Sequence, residues 1–248
     1  MIHFITLCDS SSFDKNKHNL FQKSFDKYNI SNISIHYIHS YNPNIKNYNK
    51  ITEILSYLRS NQSSTNADDI IIYLDSFDTL FMKNIDIQDI ENTFLSKNID
   101  LLFGSSQEFY NMFPESKPYY DNKYNNTKFK YLSTHFFIDF RKSIIQLFHF
   151  ISSKLQYYPN PDKSFQDKRI IGMIFSHIYN QNYSQYRALE NIKIDIDYSC
   201  TFSFNKLPNT SLNEIILKKP YFVHFQKIKN NIKQQSDYFV ISSLKDLL

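Results

Sequence analysis

The sequence predicts an α/β protein, one domain in which a mostly parallel central sheet is flanked by helices. Three observations support this prediction. Strand patterns and amphipathic helix patterns alternate along residues 1–104, as a parallel sheet requires. Residues 70–74, Ile-Ile-Ile-Tyr-Leu, are apolar at every position, which is typical of a strand covered on both faces. A chain of 248 residues can form one such domain and bury about three quarters of the surface that it exposes when unfolded.

The first half of the chain alternates strands with helices. The opening strand begins at Ile2, and the polar residues from Asp9 to Ser12 form a loop before the first helix. The predicted elements are a strand at 2–8, a helix at 13–28, a strand at 32–38, a helix at 51–60, a strand at 70–74, a helix at 86–97 and a strand at 100–103.

The second half is less regular. Residues 110–129 are polar and aromatic, contain Pro114 and Pro118, and show no clear period, so we expect an irregular loop that could serve as a lid. The remaining predicted elements are strands at 131–140, 191–197 and 220–223 and helices at 141–156 and 164–179. Asp197, at the end of one of these strands, is expected to order a turn.

Composition argues against several classes of function. The formal net charge is only +4 and the lysines are scattered, which disfavours nucleic-acid binding. No apolar run approaches the roughly 20 residues that span a bilayer, so we expect no membrane span. Cys8 and Cys200 suggest no disulfide framework, and the start of the chain lacks a charged, cleavable leader, so we expect an intracellular, cytoplasmic protein. Two glycines and no tryptophan, with many Asn, Ile and Lys residues, are typical of an AT-rich genome.

Two carboxylates, Asp75 and Asp78, follow the apolar run 70–74. On a continuing strand, residues three apart point to opposite faces, so the two side chains can converge only if the chain turns after Leu74. Open α/β sheets bind ligands beyond the carboxyl ends of their strands, where such a pair could hold a divalent cation. The alternative is a capping Asp75 and a solvated loop residue at Asp78, and both interpretations stay open here.

Residues 75–78, Asp-Ser-Phe-Asp, resemble the Asp-Ser-Tyr-Asp block of the glycosyltransferase domain of lysyl hydroxylases and procollagen glycosyltransferases. Five more blocks follow in the family's order, and the resemblance covers nearly the whole chain. They lie at 103–108, 131–138, 167–169, 196–202 and 223–227. The resemblance implies a GT-A-like, Rossmann-like domain with a nucleotide-binding half at about 1–104 and an acceptor-side half at about 105–248.

The resemblance also implies a metal site formed by Asp75, Asp78 and His224. Its mixed oxygen and nitrogen donors suit Mn²⁺. A divalent ion there would neutralise the charge that develops on the diphosphate leaving group of a UDP-sugar. The expected cofactor is therefore Mn²⁺ or another divalent cation, and the expected donor substrate is a UDP-sugar.

Further contacts are implied by the family's pattern. Thr6 precedes the loop that holds the base and ribose, although it is explained equally well as a strand residue. Phe77 stands at a tyrosine position and could stack on uracil. Lys50 and Lys227 could face the diphosphate, with solvated lysines as the alternative. Asp167 matches an aspartate that faces the acceptor sugar, which makes it the candidate catalytic residue.

Nearly every glycine of the family's blocks is replaced in this chain. Residues 134–136, Thr-His-Phe, stand where the family has Ser-Gly-Gly, and their side chains are expected to narrow the space for a hexose. His135 is expected to be a hydrogen-bonded pocket-wall residue. Phe225, Gln226 and Lys227 occupy the segment after the metal histidine, where the family's Gly-Asn-Gly lets backbone amides approach the diphosphate.

The predicted function is transfer of a hexose from a UDP-sugar to a protein or peptide acceptor, such as hydroxylysine in a collagen-like protein. Two alternatives remain, a noncatalytic nucleotide-binding scaffold and a UDP-sugar hydrolase. The missing glycines favour the scaffold, whereas the retained Asp75, Asp78 and His224 disfavour it. No segment resembles the Fe(II)-oxygenase part of lysyl hydroxylases, so no hydroxylation is predicted.

Overall fold

A computed structural model describes residues 1–9, 24, 26–28, 33, 35–40, 50–61, 66–75, 79–109, 117–155, 191–206 and 212–225. The strands are β1 (Ile2–Asp9), β2 (Ile35–Ser40), β3 (Ile70–Leu74), β4 (Thr79–Phe81), β5 (Leu101–Ser106), β6 (Tyr131–Phe140), β7 (Ile194–Ile196), β8 (Ser203–Lys206) and β9 (Phe222–Phe225). The helices are α1 (Lys50–Ser60), α2 (Ile87–Ser96), α3 (Lys117–Lys123), α4 (Arg141–Leu155) and α5 (Leu212–Lys218). None of these helices has the length and apolar character needed to cross a membrane. The predicted helix at 164–179 and most of the one at 13–28 lie outside the described residues.

The central sheet has six strands in the order β2-β1-β3-β6-β5-β7. Strand β1 is parallel to β2 and to β3, and β5 is parallel to β7. Only β6 is antiparallel to its neighbours, β3 and β5. The predicted mostly parallel sheet with flanking helices is therefore confirmed.

Strand β3 lies at the centre of the core, and each of its five residues is buried. Ile71 and Tyr73 pack into the cluster that includes α1 and α4, whereas Ile70, Ile72 and Leu74 pack into the opposite cluster with α2. Each fully buried side chain of this size contributes about 1.5–3 kcal/mol relative to an exposed one. The prediction that this strand is covered on both faces is correct.

A second sheet of three strands, in the order β4-β9-β8, covers the α2 face of the central sheet. Aromatic rings join the two layers: Phe136 of β6 lies 5.8 Å from Phe222 of β9, centroid to centroid. Strands β4 and β8 were not predicted, because they contain only three and four residues and include polar side chains.

The last strand differs from its prediction. The sequence pattern predicts that this strand ends at Val223, because the polar His224 interrupts the apolar run. In the structure β9 runs from Phe222 to Phe225, and His224 lies inside it, because β4 pairs with β9 as far as this residue and β8 pairs with β9 one residue further. His224 thus belongs to the second sheet and does not follow a strand of the central one.

The segment predicted to be an irregular loop contains a helix, α3, and its residues 110–116 lie outside the described part of the chain. Tyr120 and Tyr124, one helical turn apart, are buried in the core. Lys117 and Asp121 form an ion pair at 2.6 Å with the same spacing. Burial of the two tyrosines stabilises a helix that the sequence pattern alone does not indicate.

Asp139 of β6 is a carboxylic acid inside the core, opposite Ile71 of β3 and Leu101 of β5. It is fully buried, and neither of its carboxyl oxygens has a hydrogen-bond partner among the described residues. Burial, reinforced by the neighbouring Asp100 carboxylate, raises the pKa of Asp139 well above its ordinary value. The fold therefore favours the neutral acid at this position.

Replacing Asp139 by Asn is expected to make the free energy of unfolding less dependent on pH. The folded-state pKa lies above the unfolded value of about 3.9, so the stabilisation is complete below that value and is lost as pH rises, by up to about 1.4 kcal/mol per unit. Asn has no proton to lose, so the stability of the variant relative to wild type should increase above pH about 4. Urea unfolding at several pH values measures this, and Asp139→Leu should show the same trend. Parallel pH profiles for all three proteins contradict a buried neutral acid.

Candidate functional site

Asp75 is the first residue after β3, at the carboxyl edge of the central sheet. The Thr6 hydroxyl donates a 2.7 Å hydrogen bond to the Leu74 carbonyl, and the Asp75 N–H donates a 3.0 Å bond to the His135 carbonyl. The next strand, β4, starts at Thr79 and belongs to the second sheet. Strand β3 therefore ends at Leu74, which meets the condition for Asp75 and Asp78 to converge but does not test it, because Asp78 lies outside the described residues.

The carboxylate of Asp75 is held from the core side by Tyr73. The Tyr73 hydroxyl donates a hydrogen bond to Asp75 Oδ1. The Tyr73 ring is buried and stacks on Phe137, with centroids 5.0 Å apart and planes at 15°. Since this ring is fixed by packing, it orients one carboxylate oxygen, while the Asp75 side chain remains partly exposed at the edge of the sheet.

Strand β6 bulges beside this edge. Phe103 of β5 pairs with Phe137, but the next residue, Gly104, pairs with Ser133. Residues 134–136 therefore have no partner on β5. Such a bulge bends the strand and redirects its side chains.

His135 is the residue that the bulge redirects over Gly104. Its Nδ1 lies 2.6 Å from the Ser133 hydroxyl and its Nε2 lies 2.6 Å from the Ser203 hydroxyl. The Cβ of any other residue at position 104 would be 2.7 Å from His135 Cε1, so the ring requires glycine there. The prediction of a hydrogen-bonded histidine at this position is confirmed.

Phe136, by contrast, does not line a pocket. It is fully buried between the two sheets, where it packs against Phe202 and Phe222. The expectation that Phe136 narrows the hexose space is therefore wrong, because Phe136 stays paired with Leu74 of β3 and faces the core on the same side as Ile138. Thr134 is only partly buried, and His135 occupies the space above Gly104.

His224 lies between Thr79 of β4 and Asn205 of β8. Side chains directly opposite in neighbouring strands share a face of the sheet, so these three form one row. Nδ1 of His224 is 3.0 Å from Oδ1 of Asn205. The His224 ring also stacks on His135, with centroids 4.5 Å apart and planes at 21°.

The His135 carbonyl accepts the Asp75 N–H, and the His135 ring stacks on the His224 ring. His135 therefore connects Asp75 to His224. Asp75 offers a carboxylate oxygen and His224 an imidazole nitrogen, and both are donor types that fit a divalent cation. The buried Thr79 hydroxyl beside His224 has no hydrogen-bond partner among the described residues. Within those residues, which do not include Asp78, no group of three or more His, Cys, Asp or Glu side chains could hold a metal ion. The complete set of Asp75, Asp78 and His224 stays a prediction.

The other predicted site residues are described only in part. Phe77, Asp167 and Lys227 lie outside the described residues. Lys50 is the first residue of α1, and its side chain also lies outside the description. Thr6 is buried within β1, and its hydroxyl donates to the Leu74 carbonyl at the end of β3 nearest the site. Their roles toward a nucleotide or an acceptor remain predictions.

Asp197 orders the turn between β7 and β8, as predicted. Its carboxylate accepts the backbone N–H groups of Thr201 at 3.1 Å, Phe202 at 2.7 Å and Ser203 at 2.9 Å. Burial raises the pKa of Asp197, and these three donors oppose that effect. The turn thus fixes the start of β8, from which Ser203 reaches the central sheet.

Sequence reasoning missed three residues that shape this region: Tyr73, Thr79 and Asn205. Tyr73 lies two residues before Asp75, and this same-face spacing on a strand is a signal that could have identified it. Thr79 and Asn205 offered no comparable signal, because their proximity to His224 depends on the pairing of three strands that are distant in sequence.

No protein-family model matches this sequence, and no curated protein matches it. Among solved structures, the chain is similar to a glycosyltransferase involved in the glycosylation of the major capsid of PBCV-1. The two share 13% sequence identity with a TM-score of 0.51, over 96% of this chain and 99% of the other. At this identity the likeness establishes a shared fold, the Rossmann-like α/β fold of a glycosyltransferase.

Proposed function

We propose that this protein is a metal-dependent glycosyltransferase that takes a hexose from a UDP-sugar. The observation that carries the proposal is the connection of Asp75 to His224 through His135 at the carboxyl edge of a mostly parallel sheet. Ligands of open α/β sheets bind beyond this edge. The fold shared with the capsid glycosyltransferase supports the same reaction class, and the sequence blocks that resemble collagen glycosyltransferases support the donor.

In this proposal Asp75, Asp78 and His224 hold Mn²⁺ or another divalent cation. The bound ion supplies charge neutralisation for the departing diphosphate. Tyr73 keeps one oxygen of Asp75 oriented, and the stack on His135 keeps the His224 ring in place. Since ligands held in advance lose little freedom on binding, this support strengthens metal affinity.

The proposed nucleotide contacts are Thr6, Lys50, Phe77 and Lys227, with Asp167 on the acceptor side. Two lysines near the diphosphate would replace, as point charges, the backbone contacts that glycines provide in the resembling family. His135 is the feature that limits the sugar, because its ring fills the space above Gly104. We therefore expect slow transfer, or transfer to an acceptor other than hydroxylysine.

Release of UDP from UDP-galactose and UDP-glucose tests this function, measured in Mn²⁺ and in EDTA, with and without a hydroxylysine-bearing collagen peptide. The expected result is release that requires Mn²⁺ and is accelerated little by the peptide. Rapid peptide-dependent release would show that His135 does not restrict the hexose and would support collagen glycosylation. Rapid release that yields free hexose at the same rate with and without the peptide would instead identify a UDP-sugar hydrolase, whereas the transferase is expected to release UDP slowly in both cases. Absence of both release and UDP binding would exclude the enzyme and leave the noncatalytic scaffold.

A further inference from the structure

We infer that Asn205 is a positioning residue that sets the tautomer of His224 and thereby directs its Nε2 lone pair toward the metal. The inference rests on the proposed function, in which His224 is a metal ligand. Asn205 itself touches neither the metal nor the substrate in this account. It acts only through the imidazole.

The hydrogen bond between the two side chains determines the tautomer. Oδ1 of Asn205, a residue that is 1% exposed, lies 3.0 Å from Nδ1 of His224. A carbonyl oxygen can only accept a hydrogen bond, so the proton of the neutral imidazole must be on Nδ1. The lone pair is then on Nε2, the nitrogen that would bind the cation in the proposed site.

The surrounding strands keep the ring from turning over. Met82 N–H donates to the Tyr221 carbonyl opposite it at 3.0 Å, which makes this a hydrogen-bonded pair of the β4–β9 ladder. Bonded and non-bonded pairs alternate, so Thr79 and His224, three residues further along, form a non-bonded pair, whose side chains approach most closely. Thr79 therefore packs on one side of the His224 side chain and Asn205 on the other.

His135 covers a face of the same ring at 4.5 Å. A half-turn of the His224 ring would replace Nδ1 by a carbon atom and remove this donor from the buried Oδ1 of Asn205, which disfavours the turned ring. The row of Thr79, His224 and Asn205 thus presents one ring orientation and one tautomer before any metal binds.

The test begins with the tautomer itself. Long-range ¹H–¹⁵N NMR of the metal-free, ¹⁵N-labelled protein distinguishes protonated from unprotonated ring nitrogens, and His224→Ala identifies the His224 signals. We expect a proton on Nδ1 in wild type. Asn205→Asp, which retains an acceptor, should keep this tautomer, whereas Asn205→Leu should shift His224 toward the Nε2–H form. Ser203→Ala is the matched control. Ser203 lies on the same strand as Asn205, and its loss removes a hydrogen bond to His135 but should leave the His224 tautomer unchanged.

Metal affinity provides the second readout, from the titration of free Mn²⁺ by electron paramagnetic resonance in the presence of UDP. Asn205→Leu should weaken Mn²⁺ binding about 10- to 100-fold, while Asn205→Asp should stay close to wild type. A proton on Nε2 in wild type, or an unchanged tautomer in Asn205→Leu, would overturn the inference even if Mn²⁺ binds. Wild-type protein that binds no Mn²⁺ but carries the proton on Nδ1 would overturn the proposed function and retain Asn205 as the residue that sets the tautomer.

Discussion

Asp75→Asn is expected to reduce Mn²⁺-dependent release of UDP from a UDP-sugar at least about 10²-fold. The substitution removes the negative charge that binds the cation but retains an oxygen that can accept from the Tyr73 hydroxyl. The fold should therefore survive, since the side chain is only partly buried and makes no contribution to the apolar core. The rate is measured at saturating Mn²⁺, and thermal unfolding of the metal-free protein checks that the variant is folded.

Asp68→Asn is the matched control for this substitution. Asp68 lies on the same segment of the chain but at the opposite end of β3, where it forms an exposed ion pair with Lys142 at 2.6 Å. An exposed pair of this kind is screened by solvent and contributes little to stability, and this one is not part of the proposed site. Loss of activity in both variants, or in neither, would remove Asp75 from the metal site.

Gly104→Ala is expected to destabilise the protein by about 1–3 kcal/mol, because a methyl group at this position overlaps the His135 ring. The ring cannot move aside cheaply. Both of its nitrogens lie 2.6 Å from serine hydroxyls, and one of its faces stacks on His224. Urea unfolding of the variant measures the loss.

A double-mutant cycle separates this clash from other effects of the methyl group. In a His135→Ala background the ring is absent, so Gly104→Ala should be neutral or stabilise the strand by up to about 1 kcal/mol. An equal loss of stability in both backgrounds would mean that His135 is not the reason for glycine at this position.

The central strand and its acidic end could be predicted because their signals are local. Five consecutive buried residues identify β3, and the carboxylate that follows them marks the edge where ligands bind. The geometry of a strand, which cannot bring residues three apart to one face, gave the condition that the chain must turn after Leu74 if Asp75 and Asp78 are to converge. These predictions required no knowledge of what lies beside β3.

The second sheet could not be predicted in the same way. Strands β4, β8 and β9 are short and carry polar residues, and they are stable only because they pair with one another and pack on Phe136 and Phe202. The position of His224 within β9 depends on that pairing. Its neighbours Thr79 and Asn205 come from strands that are far from it in the sequence, so no spacing rule identifies them.

The structure of β6 corrects one part of the prediction for residues 134–136. Residues 134–136 stand where the resembling family has small residues, Ser-Gly-Gly. The sequence therefore predicts that all three side chains narrow a sugar pocket. The register shift between Phe103 and Gly104 accompanies the placement of His135 over Gly104, whereas Phe136 stays paired with Leu74 of β3 and faces the core on the same side as Ile138. A shift of register has no signature in the residue pattern itself.

The central claim is that a divalent cation bridges the nucleotide to Asp75, Asp78 and His224. Calorimetric titration of UDP into wild-type protein in Mn²⁺ and in EDTA tests it most directly. The account predicts UDP affinity at least about 5-fold higher in Mn²⁺, a reciprocal gain in Mn²⁺ affinity when UDP is present, and loss of both gains in His224→Ala. Equal UDP affinity in Mn²⁺ and in EDTA would contradict the metal bridge and, with it, the proposed chemistry of this site.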